Sequence, residues 1–205
     1  AAATSLALLL YWGRQCYGIG YELDEERAKR VAAAGKLERD VERQLANGSV
    51  RLLRAKWLLD ESELSCIQRR QHLPPEAFVP LHEAVAMYQS GLVYVFSYGW
   101  LTQSHSDPHG LYLRALRRFF DGYEEGPRRV PPAGPASSYA VLTDKREFGI
   151  FWDYACLHQR PRTADEQNSF RAALSVMGNL YGSKWRTTVL QHKLIPHAPQ
   201  GAASS

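Results

Sequence analysis

Two short segments, apolar throughout, constrain the fold of this chain more than any other feature. Residues 92–97 read LVYVFS and residues 148–152 read FGIFW. Segments that are rich in β-branched and aromatic residues, with no polar alternation, are typical of strands covered on both faces, as in parallel sheets. We therefore predict that the two segments are neighbouring parallel strands in the interior of one sheet.

The surrounding patterns complete an alternating order of helices and strands. Val31, Leu37, Val41 and Leu45 recur at helical spacing within residues 24–46, which predicts a helix whose apolar side packs onto the rest of the chain. Further helices are predicted over residues 76–88, 111–120 and 163–181, and further strands over 139–143 and 187–191. Residues 50–59 fit either a strand or a short helix. The order predicts an α/β fold, a small open parallel sheet of about four strands.

We expect three parts along the chain: an N-terminal, mainly helical extension over residues 1–90, the α/β core over 91–197, and a disordered tail over 198–205. Four prolines and two glycines fall within residues 124–138, so we predict that 126–137 is the least ordered internal segment. Ala1–Trp12 is almost wholly apolar, but a bilayer span needs about 20 residues. We expect a buried helix there; the alternative is the remainder of a signal or membrane segment.

Composition and charge argue against several classes of function. The 25 basic residues exceed the 21 acidic ones by only four, and the two kinds are interspersed, unlike the concentrated charge of nucleic-acid binders. The mean hydropathy of −0.37 argues against a multi-span membrane protein. Three cysteines without CxxC spacing give no zinc signal and fit a reducing compartment, so we expect a cytoplasmic protein.

The helix predicted over residues 111–120 has mixed faces. We expect Leu116, Phe119 and Phe120 to face the core, and Arg114, Arg117 and Arg118 to face solvent. These arginines, together with Arg128 and Arg129, are an alternative nucleic-acid surface, but a solvated helix face and a charged loop explain them more simply.

The candidate ligand-binding residues follow the two apolar strands, because open parallel sheets bind ligands beyond the carboxyl ends of their strands. Ser97, Tyr98 and Trp100 follow the first strand, and Asp153 and Gln159 follow the second. Each has a structural alternative. The serine can bond backbone, the tryptophan can cover the sheet edge, and the aspartate can cap the next turn.

Glu166 is the candidate catalytic residue, and two interpretations remain open. Thr163 and Glu166 have the spacing of a capping box, in which each side chain satisfies the other's backbone donor. A carboxylate in the first turn of a helix near strand ends can also hold ribose hydroxyls or stabilise a cationic sugar transition state.

Two other chemical patterns are weaker. Cys156 and His158 are too close along one turn to act as nucleophile and base, so we expect Cys156 to be a small buried residue. His105, Asp107 and His109 resemble a metal site, but Asp107 before a proline is also an ordinary turn starter. We expect no metal and no cofactor.

Three sequence blocks resemble those of heterokaryon-incompatibility (HET) domains. Residues 95–100, VFSYGW, resemble the family's S-Y-x-W block, and residues 151–159, FWDYACLHQ, are similar to its W-I-D-x-x-C-I-N-Q block. A third block, a glutamate followed by an apolar pattern, is matched by Glu166, Leu174, Met177, Leu180 and Tyr181. The resemblance covers about residues 92–191. The string Arg69-Arg70-Gln71 lies outside the family pattern.

The resemblance implies a fold and two functions. HET domains are regarded as relatives of the Toll/interleukin-1 receptor (TIR) fold, a flavodoxin-like sheet. The resemblance therefore implies a signalling or interaction module that acts through self-association or a protein partner. The alternative is a glycohydrolase that cleaves NAD(P), a nucleotide substrate, through Glu166. Tyr98 or Trp100 would then stack on a ring, while Ser97 or Asp153 would position hydroxyls.

Overall fold

The computed structural model describes residues 25–60, 64–122, 147–183 and 186–193. The predictions for Ala1–Trp12, the loop 126–137, the strand 139–143 and the tail 198–205 lie outside these residues. The chain divides into two compact units, Ala1–Asp40 and Val41–Ser205. None of the helices in the described ranges is both long and apolar enough to cross a bilayer.

The first helix, α1, covers residues 25–46 and confirms the helical prediction there. Val41 and Leu45 are fully buried, but Val31 is 66% exposed and Leu37 is 47% exposed. The prediction that the whole apolar side is packed is therefore wrong for these two residues. Val41 and Leu45 belong to the core of the larger unit, whereas Val31 and Leu37 belong to the smaller unit.

The larger unit is built on a four-stranded sheet. Its strands are β1 (Leu53–Arg54), β2 (Val93–Ser97), β3 (Gly149–Phe151) and β4 (Thr187–Gln191), in the order β1-β3-β2-β4. β2 is parallel to both β3 and β4, which confirms the predicted parallel pair in the sheet interior. The prediction of an all-parallel sheet is wrong, because the edge strand β1 runs antiparallel to β3. A two-residue strand carries too little sequence pattern to reveal its direction.

Close packing at the middle of the sheet depends on a glycine. Gly149 lies opposite Val93 of β2 and Arg54 of β1. A Cβ atom at this position would lie 2.9 Å from Cδ1 of Leu52, which is closer than carbon atoms pack. The absence of a side chain therefore lets the segment before β1 approach β3.

The remaining helices of the larger unit are α2 (Ala55–Asp60), α3 (Leu81–Gln89), α4 (Leu111–Asp121), α5 (Asp153–Cys156) and α6 (Ala164–Gly182). Two short 3₁₀ turns, Arg70–His72 and Pro75–Ala77, precede α3. Residues 50–59 contain both the strand and the helix that the sequence left open. The helix predicted over 76–88 begins only at Leu81, because Phe78 is extended and bridges Leu53 and Val79 donates to the Leu52 carbonyl at 2.9 Å.

The helix α4 corrects two predicted side-chain directions. Its buried residues are Tyr112, Leu113 and Leu116, so the predicted inward position of Phe119 is wrong, and that side chain is 42% exposed. Arg117, predicted to face solvent, instead donates to the carbonyls of Leu58 and Leu64 at 3.1–3.2 Å. The buried stripe is centred one turn earlier than expected, which places position 119 at its margin.

Residues 41–90, which the sequence assigns to an N-terminal extension, contribute to the same core as the later strands. They supply β1 and buried side chains such as Leu52, Leu58 and Tyr88. This part of the chain also provides several of the contacts that hold the candidate site.

Candidate functional site

Three predicted residues meet where the parallel strands β2 and β3 end. Tyr98 donates its phenol hydrogen to Oδ1 of Asp153, and the indole Nε1 of Trp100 lies 3.3 Å from Oδ2 of the same carboxylate. The backbone N–H of Tyr154 also donates to Oδ1, at 2.6 Å. The carboxylate of Asp153 therefore accepts three hydrogen bonds at the carboxyl ends of the parallel strands, where the sequence predicted a ligand site. We call Tyr98, Trp100 and Asp153 the strand-end cluster.

Aromatic packing fixes the tyrosine of the strand-end cluster. The ring of Tyr98 stacks on Phe96 with centroids 4.9 Å apart, and it meets Tyr112 and Trp152 edge-on at 5.1 and 5.6 Å. Burial, and then the neighbouring Asp153 charge, raises the pKa of Tyr98 well above its usual value. The phenol therefore stays protonated and acts as a donor to the carboxylate throughout the physiological range.

The other two predicted ligand-binding residues make backbone contacts. Ser97 ends β2, and its carbonyl accepts a hydrogen bond from the N–H of His192 at 2.8 Å. The side-chain amide of Gln159 donates to the carbonyls of Asp153 and Leu157, at 3.2 and 3.0 Å. Gln159 thus braces the turn that carries the carboxylate of the strand-end cluster.

The carboxylate of Glu166 is held at the start of α6. Its Oε2 accepts a hydrogen bond from the N–H of Thr163 at 2.9 Å, while Thr163 Oγ1 accepts from the N–H of Glu166 at 3.2 Å. The predicted capping box is therefore present. The hydrogen bond from Thr163 is the largest cause of a lowered pKa at Glu166. Among the described residues, no hydrogen bond or ion pair joins Glu166 to Ser97 or to the strand-end cluster.

His158 is the neighbour of the second oxygen of Glu166. Its Nδ1 lies 3.3 Å from Oε1, although the two atoms are not in hydrogen-bonding geometry. Burial and the nearby positive charge of Arg70 lower the pKa of His158, against the opposing effect of Glu166. A lowered pKa makes the imidazole neutral near pH 7, so this contact contributes little as an ion pair.

Arg70 is a site residue that the sequence did not assign. Its guanidinium donates to three backbone carbonyls: Gly48 at 2.6 Å, Ser49 at 2.9 Å and Cys156 at 3.1 Å. Burial lowers its pKa to about 10, so the group remains charged at neutral pH. Arg70 therefore joins the turn after α1 to the end of α5.

The neighbours of Arg70 hold the same segment. The side-chain amide of Gln71 both donates to the carbonyl of Gln159, at 2.6 Å, and accepts from its N–H, at 3.1 Å. Arg69 donates to the carbonyl of Arg160 at 3.0 Å. The signal that could have revealed this contact is the unbroken run of polar residues Arg69-Arg70-Gln71.

Two polar residues of the loop before α4 are buried, although residues 102–104 and His109 are exposed. Ser106 and Asp107 have no exposed surface, and Asp107 Oδ2 accepts the N–H of Leu113 at 2.9 Å. The other oxygen of Asp107, the hydroxyl of Ser106 and the indole N–H of Trp152 have no hydrogen-bond partner within the described part of the chain. In the same part, no group of three or more metal-ligating side chains is suitably close together.

Cys156 is confirmed as a small buried residue. It has no exposed surface, and its Sγ lies 3.4 Å from the carbonyl oxygen of Ile150. Burial raises the pKa of the thiol to about 12. A protonated, enclosed thiol is a poor nucleophile, so chemistry through this cysteine is not supported.

A cavity that the sequence did not predict lies between α4 and β4. It has a volume of about 130 Å³, and its walls are Phe96, Ala115, Leu116, Phe119, Leu190, Gln191 and His192. The ring of His192 packs edge-on against Tyr112 at 5.0 Å, and its buried Nδ1 has no hydrogen-bond partner among the described residues. We call this feature the α4–β4 cavity.

Comparisons of the chain with protein-family models, with curated proteins and with solved structures give no match. The class that the fold defines is an α/β protein with a small, open, mixed sheet of four described strands. The resemblance to HET domains therefore rests on the three sequence blocks alone.

Proposed function

We propose that this chain is a HET/TIR-like signalling or interaction module, which acts through self-association or by binding a protein partner. The observation that carries the proposal is the position of Glu166. One oxygen of its carboxylate closes the capping box and the other lies beside His158. The proposal includes the finer fold type, a flavodoxin-like connection of the parallel strands.

A glycohydrolase would place different demands on these residues. Its carboxylate has to face the sugar where positive charge develops, and its aromatic and polar groups have to be open to the ligand. Here Tyr98 and Trp100 both donate to Asp153, and Gln159 is bonded to backbone carbonyls. The polar groups at the strand ends are engaged with one another, which supports binding at another surface over chemistry here.

Exposed apolar side chains at the margin of the sheet favour an interaction role. Val189 on the edge strand β4 and Phe119 on α4 are each 42% exposed. Phe119 lines the α4–β4 cavity together with Leu190, the residue after Val189, so both exposed side chains lie beside the same strand. Single exposed apolar residues are common, whereas a group of them is a feature of interaction surfaces.

The test combines sedimentation velocity over a wide concentration range with an assay for NAD cleavage. We expect the wild type to self-associate without consuming NAD. We expect Val189→Lys to weaken the association, because Val189 lies on the face of β4 opposite to Leu190 and the α4–β4 cavity. Leu174→Lys on α6 is the matched control, because Leu174 is 43% exposed and the change in charge is the same. Equal weakening by both variants would mean that the added charge alone weakens the association, and it would count against Val189 as part of the self-association surface.

NAD(P) cleavage is the second candidate function, and the convergence of the strand-end cluster favours it. Three of the residues predicted to bind ligand do meet at the carboxyl ends of β2 and β3. Two variants separate chemistry from capping. Glu166→Gln keeps a capping-box residue but removes the charge, whereas Thr163→Ala removes the cap and keeps the carboxylate. Turnover that is lost only in Glu166→Gln, with an unchanged melting temperature, would refute the interaction-only proposal.

A further inference from the structure

We propose that the α4–β4 cavity, together with the edge of β4, is the docking site for an extended segment of a partner protein that carries one large apolar side chain between carboxylates. The inference rests on the proposed function, because it names the surface and the partner chemistry of that interaction module. Three features support it: the edge strand, the size of the cavity and the charge around it.

The edge strand offers a backbone surface. β4 is the last strand of the sheet, and only its pairing with β2 is present among the described residues. Among the described residues this outer edge is unpaired, and the backbone N–H and C=O groups along such an edge can pair with an added strand. The ladder between β4 and β2 continues to His192, whose N–H donates to the Ser97 carbonyl. The backbone is therefore extended along the whole of β4, and the opposite, outer edge has the same length.

The cavity lies beside this edge and matches one side chain. Leu190, Gln191 and His192 form its wall on the β4 side, and Ala115, Leu116 and Phe119 form its wall on the α4 side. Its volume of about 130 Å³ is close to that of an engineered apolar cavity of about 150 Å³ that accepts benzene. Alternate side chains of a strand laid along β4 point to the same face, so one phenylalanine or leucine can enter the cavity.

The charge near the cavity selects the flanking residues of the partner. Arg118 is exposed and precedes Phe119 on α4, and Lys193 is exposed and follows His192. None of the residues that form the cavity walls is acidic. Carboxylates on either side of the apolar side chain would therefore meet positive charge.

The test measures peptide binding to the full chain by fluorescence polarisation. The probe is a labelled nonapeptide with a central phenylalanine between aspartates; the controls have alanine at the centre or lysine at the flanks. We expect saturable binding of the probe, weaker at high salt, and an affinity lower by at least about tenfold for either control.

Variants of the chain locate the binding site. Ala115→Phe fills the cavity, and Arg118→Glu reverses the charge beside it; each should lower the affinity at least about tenfold. The matched controls, Ala86→Phe on α3 and Arg171→Glu on α6, change exposed positions and should bind the probe as the wild type does. Thermal melts test whether Ala115→Phe is folded. If Ala115→Phe is not folded, Arg118→Glu, a change at an exposed position, still tests the proposal.

Several results would overturn the inference. Absence of probe binding, or equal binding by Ala115→Phe and the wild type, would show that the cavity is not the docking site. Loss of self-association in Ala115→Phe would make a second copy the occupant. Tighter binding of a synthetic peptide of residues 194–205 would make this chain's own segment the occupant. The proposed function is judged separately, by NAD turnover in Glu166→Gln, so a failure of the docking site can be told apart from a failure of the proposed function.

Discussion

Replacing Arg70 with alanine removes a guanidinium that satisfies the carbonyls of Gly48, Ser49 and Cys156. Of the three, the Cys156 carbonyl keeps a second donor, the N–H of Arg51 at 3.3 Å. An unsatisfied buried polar group costs about 1–3 kcal/mol, and two carbonyls lose their side-chain donor without such a replacement. Allowing for partial access of water to the turn, we expect Arg70→Ala to lower the free energy of unfolding by about 2–4 kcal/mol.

Urea denaturation followed by circular dichroism measures this loss. A shift of the midpoint with an unchanged dependence on urea would assign the effect to stability rather than to a change in the unfolded state. Arg70→Lys should fall between the wild type and Arg70→Ala, because an ammonium lacks the planar fork that reaches several carbonyls at once.

Arg171→Ala is the control for loss of an arginine. Arg171 is exposed on α6, and surface substitutions of this kind usually change stability by no more than about 0.5 kcal/mol. If Arg70→Ala were no more destabilising than Arg171→Ala, Arg70 would not hold the turn after α1 to the end of α5.

Three further predictions follow from single contacts. Tyr98→Phe removes the phenol donor to the carboxylate of the strand-end cluster and should destabilise the fold by about 1–3 kcal/mol in the same urea assay. Gly149→Ala should also destabilise the fold, by about 1–3 kcal/mol, because the new Cβ would meet the side chain of Leu52. The matched variant Gly178→Ala, whose new Cβ would have nothing within 4 Å, should stabilise α6 by about 0.5–1 kcal/mol. The pKa of His158 is lowered in the fold, so protonation of this imidazole destabilises the folded state. The free energy of unfolding should therefore be at its full value above the unfolded pKa of about 6.5, and it should decrease as the pH falls through the folded pKa. His158→Asn should flatten that part of the curve of stability against pH, and an unchanged slope would contradict the assignment.

The parts of the fold that the sequence predicted are those with a local or uniform signal. Val93–Ser97 and Gly149–Phe151 are apolar except at Ser97, so their burial and parallel pairing followed from composition. The capping box of Thr163 and Glu166 followed from a three-residue spacing. In each case the residues that decide the structure are adjacent or belong to one repeating pattern.

The parts that the sequence did not predict depend on contacts between distant segments. The side chain of Arg70 meets Cys156, 86 positions away, and no local pattern marks a guanidinium that will bind carbonyls. The sequence predicts the wrong faces of α4 for Phe119 and Arg117. Apolar residues are spread around this helix, so their spacing alone does not reveal which of them meet the sheet. The α4–β4 cavity likewise exists only once α4 is placed beside the last strand.

The hydrogen bonds of Asp153 bear on what the strand-end cluster can do. Its carboxylate accepts from Tyr98, Trp100 and the N–H of Tyr154. A ligand hydroxyl would have to displace one of these donors, and a buried donor that loses its acceptor is costly. Trp100 is the exception, because its contact is the longest of the three, at 3.3 Å, and its side chain is 40% exposed. Any ligand of this cluster would therefore compete with the indole first, which limits a binding role here to the exposed side of the carboxylate.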